Sequence, residues 1–534
     1  MDERNRVVQD LSAMPSFPSR LPVAAIALLL FAQVAHGETF LVTRTDDPLP
    51  DGCQPGDCSL REAATAASAN DPFAGSDTIE LAAGNYTLIR GALQRPDSEV
   101  ELVGAGSAQT RIDTDAGLFD APRNHALSVR GVTVATTDFN VLTMGATSAP
   151  GHLVLDDVTV PVGGGSVVIG GHDGFEATLD VRNSELRDTV QCNTVIGHCT
   201  LAGSRINALY VNPGDTPGPS VRLRGSTVDG DLDEDGQLTG IVVHHAVIVD
   251  IEDSVVTHTT EGIMRASISD AEPMAFRLRR VTYEDNAVPM QPLLSADVQI
   301  IDSVFRDNPT RALYAEGTST WSISGTSFVN NTVNGNAGGA IVIEDSASVD
   351  IRNSTFSGNT FNADAAADGA RGAAIGYRNG SGLRLDLNHV TIVRPAFMPV
   401  GIQGTGVGGY GGTGVVVVNV GNSVLAGSCR FDAGALHHND GNLESPGNSC
   451  ALDASDNQVG VDADDLDLGV LGDHGGPTPT YLPGDGSFAS DAADIDACAA
   501  VDQRGYPRPP GGACDVGAVE LGAVADVLFA DGFE

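Results

Sequence analysis

An all-β chain wound as a parallel β-helix is the fold this sequence predicts. Three observations predict it. Glycine is abundant, at 64 of 534 residues, while aromatics make up only 5%, a balance that favours strands and turns over helical bundles. An eight-residue pattern recurs in one phase along the middle of the chain. The hairpin signals that an antiparallel sandwich requires between its strands do not separate the copies.

The stretch VDIRNSTFSGNT (349–360) shows the pattern. Val349 and Ile351 are two apart and share one face of a strand, whereas Ser354 and Phe356 share a face in the opposite parity. One chain buries all four on one side only by bending between them. With an apolar residue at +0, +2 and +7, and Val, Ser or Thr at +5, the octet begins at Leu127, Leu153, Leu179, Cys199, Val221, Val249, Phe276, Val298, Trp321, Val349, Leu385 and Val418. Each copy is two short strands joined by a parity-flipping corner. One such turn cannot bury its own apolar face, and stacked turns bury a continuous column. Twelve turns make a rod of roughly 55–60 Å at the parallel-strand spacing. The +0 and +7 positions send Trp321, Tyr283, Phe305, Phe328 and Phe356 inward. Asn286, Asn308, Asn331 and Asn359 recur at +10. They are expected at left-handed turn positions, with their amides hydrogen-bonding along the stack.

The flanks divide the chain further. LPVAAIALLLFAQV (21–34), followed by AHG, reads as a signal peptide over residues 1–37, which places the mature start at Glu38. No later run is long and apolar enough to span a membrane. Residues 38–95 read as an N-terminal cap: Ser59 and Glu62 form a capping box opening a short helix, and Leu60, Ala63, Ala64 and Ala67 give that helix an apolar face. The repeats occupy 96–426, a loop-rich connection 427–470, a C-terminal module 471–520 and a tail 521–534. The eight cysteines lie in neighbouring pairs, Cys53/Cys58, Cys192/Cys199, Cys429/Cys450 and Cys498/Cys514. An exported chain makes disulfides the expectation. Eight cysteines allow 105 connectivities, and the neighbour pairing is the one adopted.

Three stretches resemble known families. CSLREA (58–63), followed by DTIELAAGNYTL (77–88), resembles the CSLREA domain that opens many exported bacterial β-helix proteins. LGDHGGPTPTYLPGDGSFASDAADIDAC (471–498) and DQRGYPRPPGGACDVGAVE (502–520) resemble the choice-of-anchor Q domain. SFVNN, GGAI (338–341) and TFSGN are similar to repeats of chlamydial polymorphic outer membrane proteins. These resemblances imply a right-handed, pectate-lyase-like parallel β-helix that is secreted or held on the outer surface of a bacterium. They imply no single chemistry and transfer no catalytic residue.

Charge and motifs narrow the function. The net charge is −41, and every basic residue is Arg. Such a surface repels nucleic acid and anionic membranes. Without Lys, the Lys and Arg set of calcium-dependent pectate lyases is incomplete, and R-x-K of the polygalacturonase type is impossible. GGHDG (170–174) and GDHGG (472–476) echo G-H-G only loosely. Asp156 and Asp157 are adjacent carboxylates that face outward. Asp231, Asp233 and Asp235 with Gly236 match the first half of a calcium loop, but Val242 stands where the bidentate Glu belongs. They form a calcium half-site, the one cofactor the sequence suggests. His244 and His245 would point to opposite faces of a strand. The reading is a non-catalytic, adhesin-like rod that binds an extracellular glycan or a cell-surface protein. A polysaccharide lyase or glycoside hydrolase is the alternative, and what separates them is whether Asp, Glu and Arg of neighbouring turns converge in one cleft.

Overall fold

The structure is a computed structural model. It describes residues 37–68, 75–94, 98–120, 125–146, 148–214, 218–232, 239–265, 274–292, 295–333, 339–362, 371–395, 406–410, 414–431 and 435–524, with backbone only at 172–174, 333 and 435–439. Residues 1–36, within the stretch read as a signal peptide, Asp233, Asp235, Gly236 and the tail beyond 524 lie outside the described residues.

Three parallel ladders run along the rod. In the first, the +0 residues of successive octets pair with one another from Leu127–Leu153 through Leu385–Val418. The predicted register therefore holds turn by turn. The ladder also takes in Thr39–Val42, Asp77–Leu81 and Val100–Val103 ahead of the first octet and Ala435–Asp440 after the last. The second ladder pairs the +7 residues, from Val160–Leu186 to Ile392–Leu425. Tyr283, Phe305, Phe328 and Phe356 stack inside it with ring centroids 5.4, 5.3 and 4.6 Å apart. The third ladder comprises Asn140–Ala146, parts of the long strands Ser166–Arg182 and Glu185–Ala202, residues 208–211 of the strand Arg205–Val211, Gly240–Val243, Gly262–Arg265, Leu313–Ala315, Ile341–Glu344, Ile375–Arg378 and Val407–Gly409. Single bridges at Met264–Gln291 and Met290–Leu313 carry it across its middle.

The corner has a backbone cause. The residue at +4 has positive φ in every octet: Gly131, Asp157, Asn183, Gly203, Gly225, Asp253, Arg280, Asp302, Gly325, Asn353, His389 and Asn422, all between +44° and +63°. A left-handed residue turns the chain and flips the parity, so both flanks bury their apolar side chains. Gly, Asp and Asn reach this region at least cost. The +5 hydroxyl then explains itself. Ser204 Oγ accepts the N–H of Ser184 (3.2 Å) and donates to the Ala202 carbonyl (3.0 Å), and Ser226 and Ser254 repeat the pattern one turn on.

The +10 asparagines form the expected ladder but not in the expected conformation. Asn308 N–H donates to Asn331 Oδ1 (3.3 Å) and Asn331 N–H to Asn359 Oδ1 (3.0 Å), while each Nδ2 reaches a carbonyl of the turn before. The positive φ belongs to the preceding residue, at Asp285, Asp307, Asn330 and Gly358. The ladder residue must aim its amide along the axis, so the residue before it makes the turn. Asn331→Ala should cost roughly 2–3 kcal/mol, because it orphans buried donors and acceptors on both neighbours. Exposed Asn330→Gly should change stability by less than about 0.5 kcal/mol. Urea unfolding of the pair checks this, and an equal loss in both would refute the ladder's role.

The ends are closed differently. At the N-terminus, Glu62 Oε2 accepts both the N–H (2.8 Å) and Oγ–H (2.9 Å) of Ser59, and helix Leu60–Ser68 buries Leu60, Ala63, Ala64 and Ala67. At the other end, residues 478–518 fold back onto the outer face of the second ladder. Ser327 Oγ donates to the Pro479 carbonyl (2.6 Å), Thr355 Oγ1 to Gln503 Oε1 (2.6 Å) and Asn353 Nδ2 to the Val501 carbonyl (2.9 Å). Inside the module, buried Arg504 pairs with Asp502 (2.7 Å) and buried Arg508 with Glu520 (2.8 Å). Much of DQRGYPRPPGGACDVGAVE is thus structural.

Candidate functional site

The rod has three outer faces, and their occupancy differs. The C-terminal module covers part of the second. On the first, acids and arginines neutralise one another: Arg224 with Asp250 (2.6 Å) and Glu252 (2.8 Å), Arg280 with Glu252 (2.6 Å) and Arg352 with Asp350 (2.7 Å). Asp156 and Asp157 belong to this structural set. Asp156 accepts Asn183 Nδ2 (2.9 Å), and Asp157 is a corner residue that accepts the N–H and Oγ–H of Ser107.

Among the described residues nothing covers the third face, which carries a groove of about 340 Å³. Strand parity builds it. Leu209, Ile241 and Ile263 point inward and are fully buried. Their paired neighbours Tyr210, Val242 and Met264 therefore point outward on successive rungs. Tyr210 OH lies 2.9 Å from His244 Nε2, and the two rings meet edge to face with centroids 5.3 Å apart. Burial, and then His245, pushes the His244 ring below its ordinary pKa, so it is neutral near pH 7. Glu261 and Thr189 complete the walls. A row of amides leads away from it: Asn193 Nδ2 donates to Gln191 Oε1 (3.4 Å), the Asn212 N–H to Asn193 Oδ1 (3.2 Å) and Asn212 Nδ2 to Tyr210 OH (3.4 Å). Apolar walls with a few fixed polar groups suit a sugar ring.

Further along the same face, carboxylates and arginines of neighbouring turns converge. Glu316 follows Ala315, which pairs with Ile343, so Glu316 and Glu344 stand side by side on adjacent rungs. Glu344 pairs with Arg378, whose Nη2 also donates to Tyr314 OH (3.3 Å). Burial raises the Glu316 pKa, and Gln291 Nε2 donates to it (3.4 Å). Two adjacent carboxyls in unlike surroundings are the elements of acid–base work on a glycosidic bond.

The four cysteine pairs Cys53–Cys58, Cys192–Cys199, Cys429–Cys450 and Cys498–Cys514 are disulfides. His389 lies beside Cys498 and Cys514, whose sulfurs, being bonded to each other, offer no thiolate. Of the calcium half-site, Asp231 alone is described. It is exposed, 3.7 Å from His258 Nδ1, and that ring also reaches Asp229 (3.1 Å). Burial pushes the Asp229 pKa up, but Arg205, the Asp231 N–H and His258 outweigh it and hold the carboxyl below its usual range. The sequence reading missed Tyr210, Glu316, Glu344 and Arg378. The third strand has no octet to anchor its phase, and only inward Leu209, Leu313 and Ile343 signal which neighbours face out.

Residues 191–390 match the family model described as a right-handed beta helix region. The fold is that of a right-handed parallel β-helix. Among solved structures, this β-helix is similar to the catalytic unit of a GH87 alpha-1,3-glucanase from Streptomyces thermodiastaticus. That pair is 13% identical, covering 76% of this chain and 67% of that one, with a TM-score of 0.39. It is also similar to pectate lyase Pel9A (11% identical, 92% and 98% covered, TM-score 0.24) and to the A-module of the Azotobacter vinelandii mannuronan C-5 epimerase AlgE6 (13%, 72% and 94%, TM-score 0.21). No curated protein matches the β-helix in sequence.

Proposed function

We propose that this β-helix is an exported or surface-displayed rod that binds an extended glycan along the outer face of its third ladder. The groove of Tyr210 and His244, continued by the amide row of Gln191, Asn193 and Asn212, carries the reading. An edge-on aromatic pair supplies apolar contact, and the amides supply donors and acceptors to hydroxyls. The CSLREA-like and choice-of-anchor-like stretches support a surface or secreted location, and four disulfides suit an oxidising compartment. Calcium at Asp231, Asp233 and Asp235 is part of the proposal, as an accessory ion.

The test uses the mature chain from Glu38 against neutral and acidic polysaccharides, with calcium or a chelator. Retained glycan without new chain ends is the expected result. Tyr210→Ala should weaken retention about 10-fold, as loss of a buried aromatic anchor does. Retention unchanged in that variant would move the binding face elsewhere. A second reading has its own observation: the adjacent Glu316 and Glu344 favour glycoside hydrolysis. Reducing ends that grow with time, and vanish in Glu316→Gln, would establish it.

A further inference from the structure

The groove ends before the charged cluster begins, but both lie on one face. Tyr210, Val242, Met264, Gln291 and Tyr314 are successive rungs of one outward row. Tyr314 therefore stands four rungs from Tyr210, roughly 19 Å at the parallel-strand spacing. A polymer lying along the axis over the groove reaches it.

Arg311 sits there in an unusual setting. Its guanidinium lies over the Tyr314 ring, 5.6 Å from the centroid. It is half-buried, and its Nε is buried without a hydrogen-bond partner among the described residues. No described carboxylate pairs with it; its charged neighbour is Arg378, of like sign, whose own acid is Glu344. Arg222, Arg277 and Arg394 also lack an ion pair among the described residues, but they are exposed and water serves them. A half-buried cation beside another cation is costly unless an anion joins them. The flat guanidinium fork matches a carboxylate in two parallel hydrogen bonds.

We propose that Arg311, backed by Tyr314 and flanked by Arg378, binds the carboxylate of an acidic sugar in the glycan. This rests on the glycan reading of the same face. It makes the ligand a polymer bearing carboxylates at intervals, held by its rings at Tyr210 and by its charge at Arg311.

The experiment titrates the full mature chain with an oligogalacturonate and with the same oligosaccharide after its carboxyls are reduced to alcohols. The parent should bind the acidic form about 10-fold more tightly, the size of one good charge-assisted contact. Arg311→Met should bind the two forms alike while holding the reduced form as the parent does, and Arg311→Lys should regain only part of the preference. A parent that does not distinguish the two forms overturns the inference, as does an Arg311→Met variant that still prefers the acid. If both forms bind equally and Tyr210→Ala releases both, the glycan reading stands and this one falls. If neither form binds, both fall.

Discussion

Ile351→Asp should unfold the middle of the rod. Ile351 is fully buried and stacked between Ile323 and Leu387 of the adjacent turns. The substitution removes a large apolar side chain, worth about 2–5 kcal/mol in a packed core. It also places a carboxylate between the apolar side chains of Ile323 and Leu387, which costs several kcal/mol more or forces it to stay protonated. A loss beyond about 5 kcal/mol exceeds what most point changes do. In a stacked rod each turn templates its neighbours, so damage should spread to the turns of Trp321 and Leu385. Limited proteolysis and urea unfolding check this, with Asp350→Asn as the control. Asp350 is one residue away but on the outer face, in a part-exposed pair with Arg352, and its loss should cost under about 1 kcal/mol. If the two variants unfold alike, the inward register assigned to this strand is wrong.

Acid should loosen the C-terminal module through His389. This corner residue is buried, with Nδ1 at 3.2 Å from the Gly517 carbonyl and Nε2 at 3.2 Å from the Ala499 N–H and 3.3 Å from Asn422 Nδ2. That geometry is a neutral ring, donating from Nδ1 and accepting at Nε2. Burial, and then Arg508, pushes its pKa down to about 3. The unfolded chain protonates the same ring near 6.5. Stability is therefore full above pH 6.5 and declines as pH falls toward 3, by about 1.4 kcal/mol per pH unit. Carboxylates titrate in part of that window, so the informative quantity is the difference between parent and His389→Asn, which keeps a residue suited to positive φ. Between pH 6.5 and 4.5 the parent should lose roughly 2–3 kcal/mol more than the variant. Parallel curves would mean that the ring is not held neutral.

Both predictions rest on elements that were unequally legible in the sequence. The inward column was legible because each turn repeats its own local pattern: Val349 and Ile351 announce a strand face, and Phe356 announces the face after the corner. Their partners in neighbouring turns then follow from phase alone. The left-handed corner at +4 was written just as openly, in Gly203, Asp253 and Asn353, yet it was read only as a bend, and the positive φ was assigned to the +10 asparagines instead. Arg280 and His389 hide it, since neither residue type signals a turn.

The sequence by itself determined the coil, its register, the inward aromatic stack and the helix laid over the first strands. Each of these is a near-neighbour matter: side chains two apart, or one turn apart, dictate one another through burial. Tertiary structure alone decided which outer residues meet. Tyr210 and His244 are 34 residues apart, and Arg378 reaches Tyr314 across 64. Gln503 and Ser327 meet across 176, as the module folds back. Outward positions carry no apolar constraint, and the loops between strands vary in length. No local pattern therefore records their convergence, and it exists only once the turns are stacked.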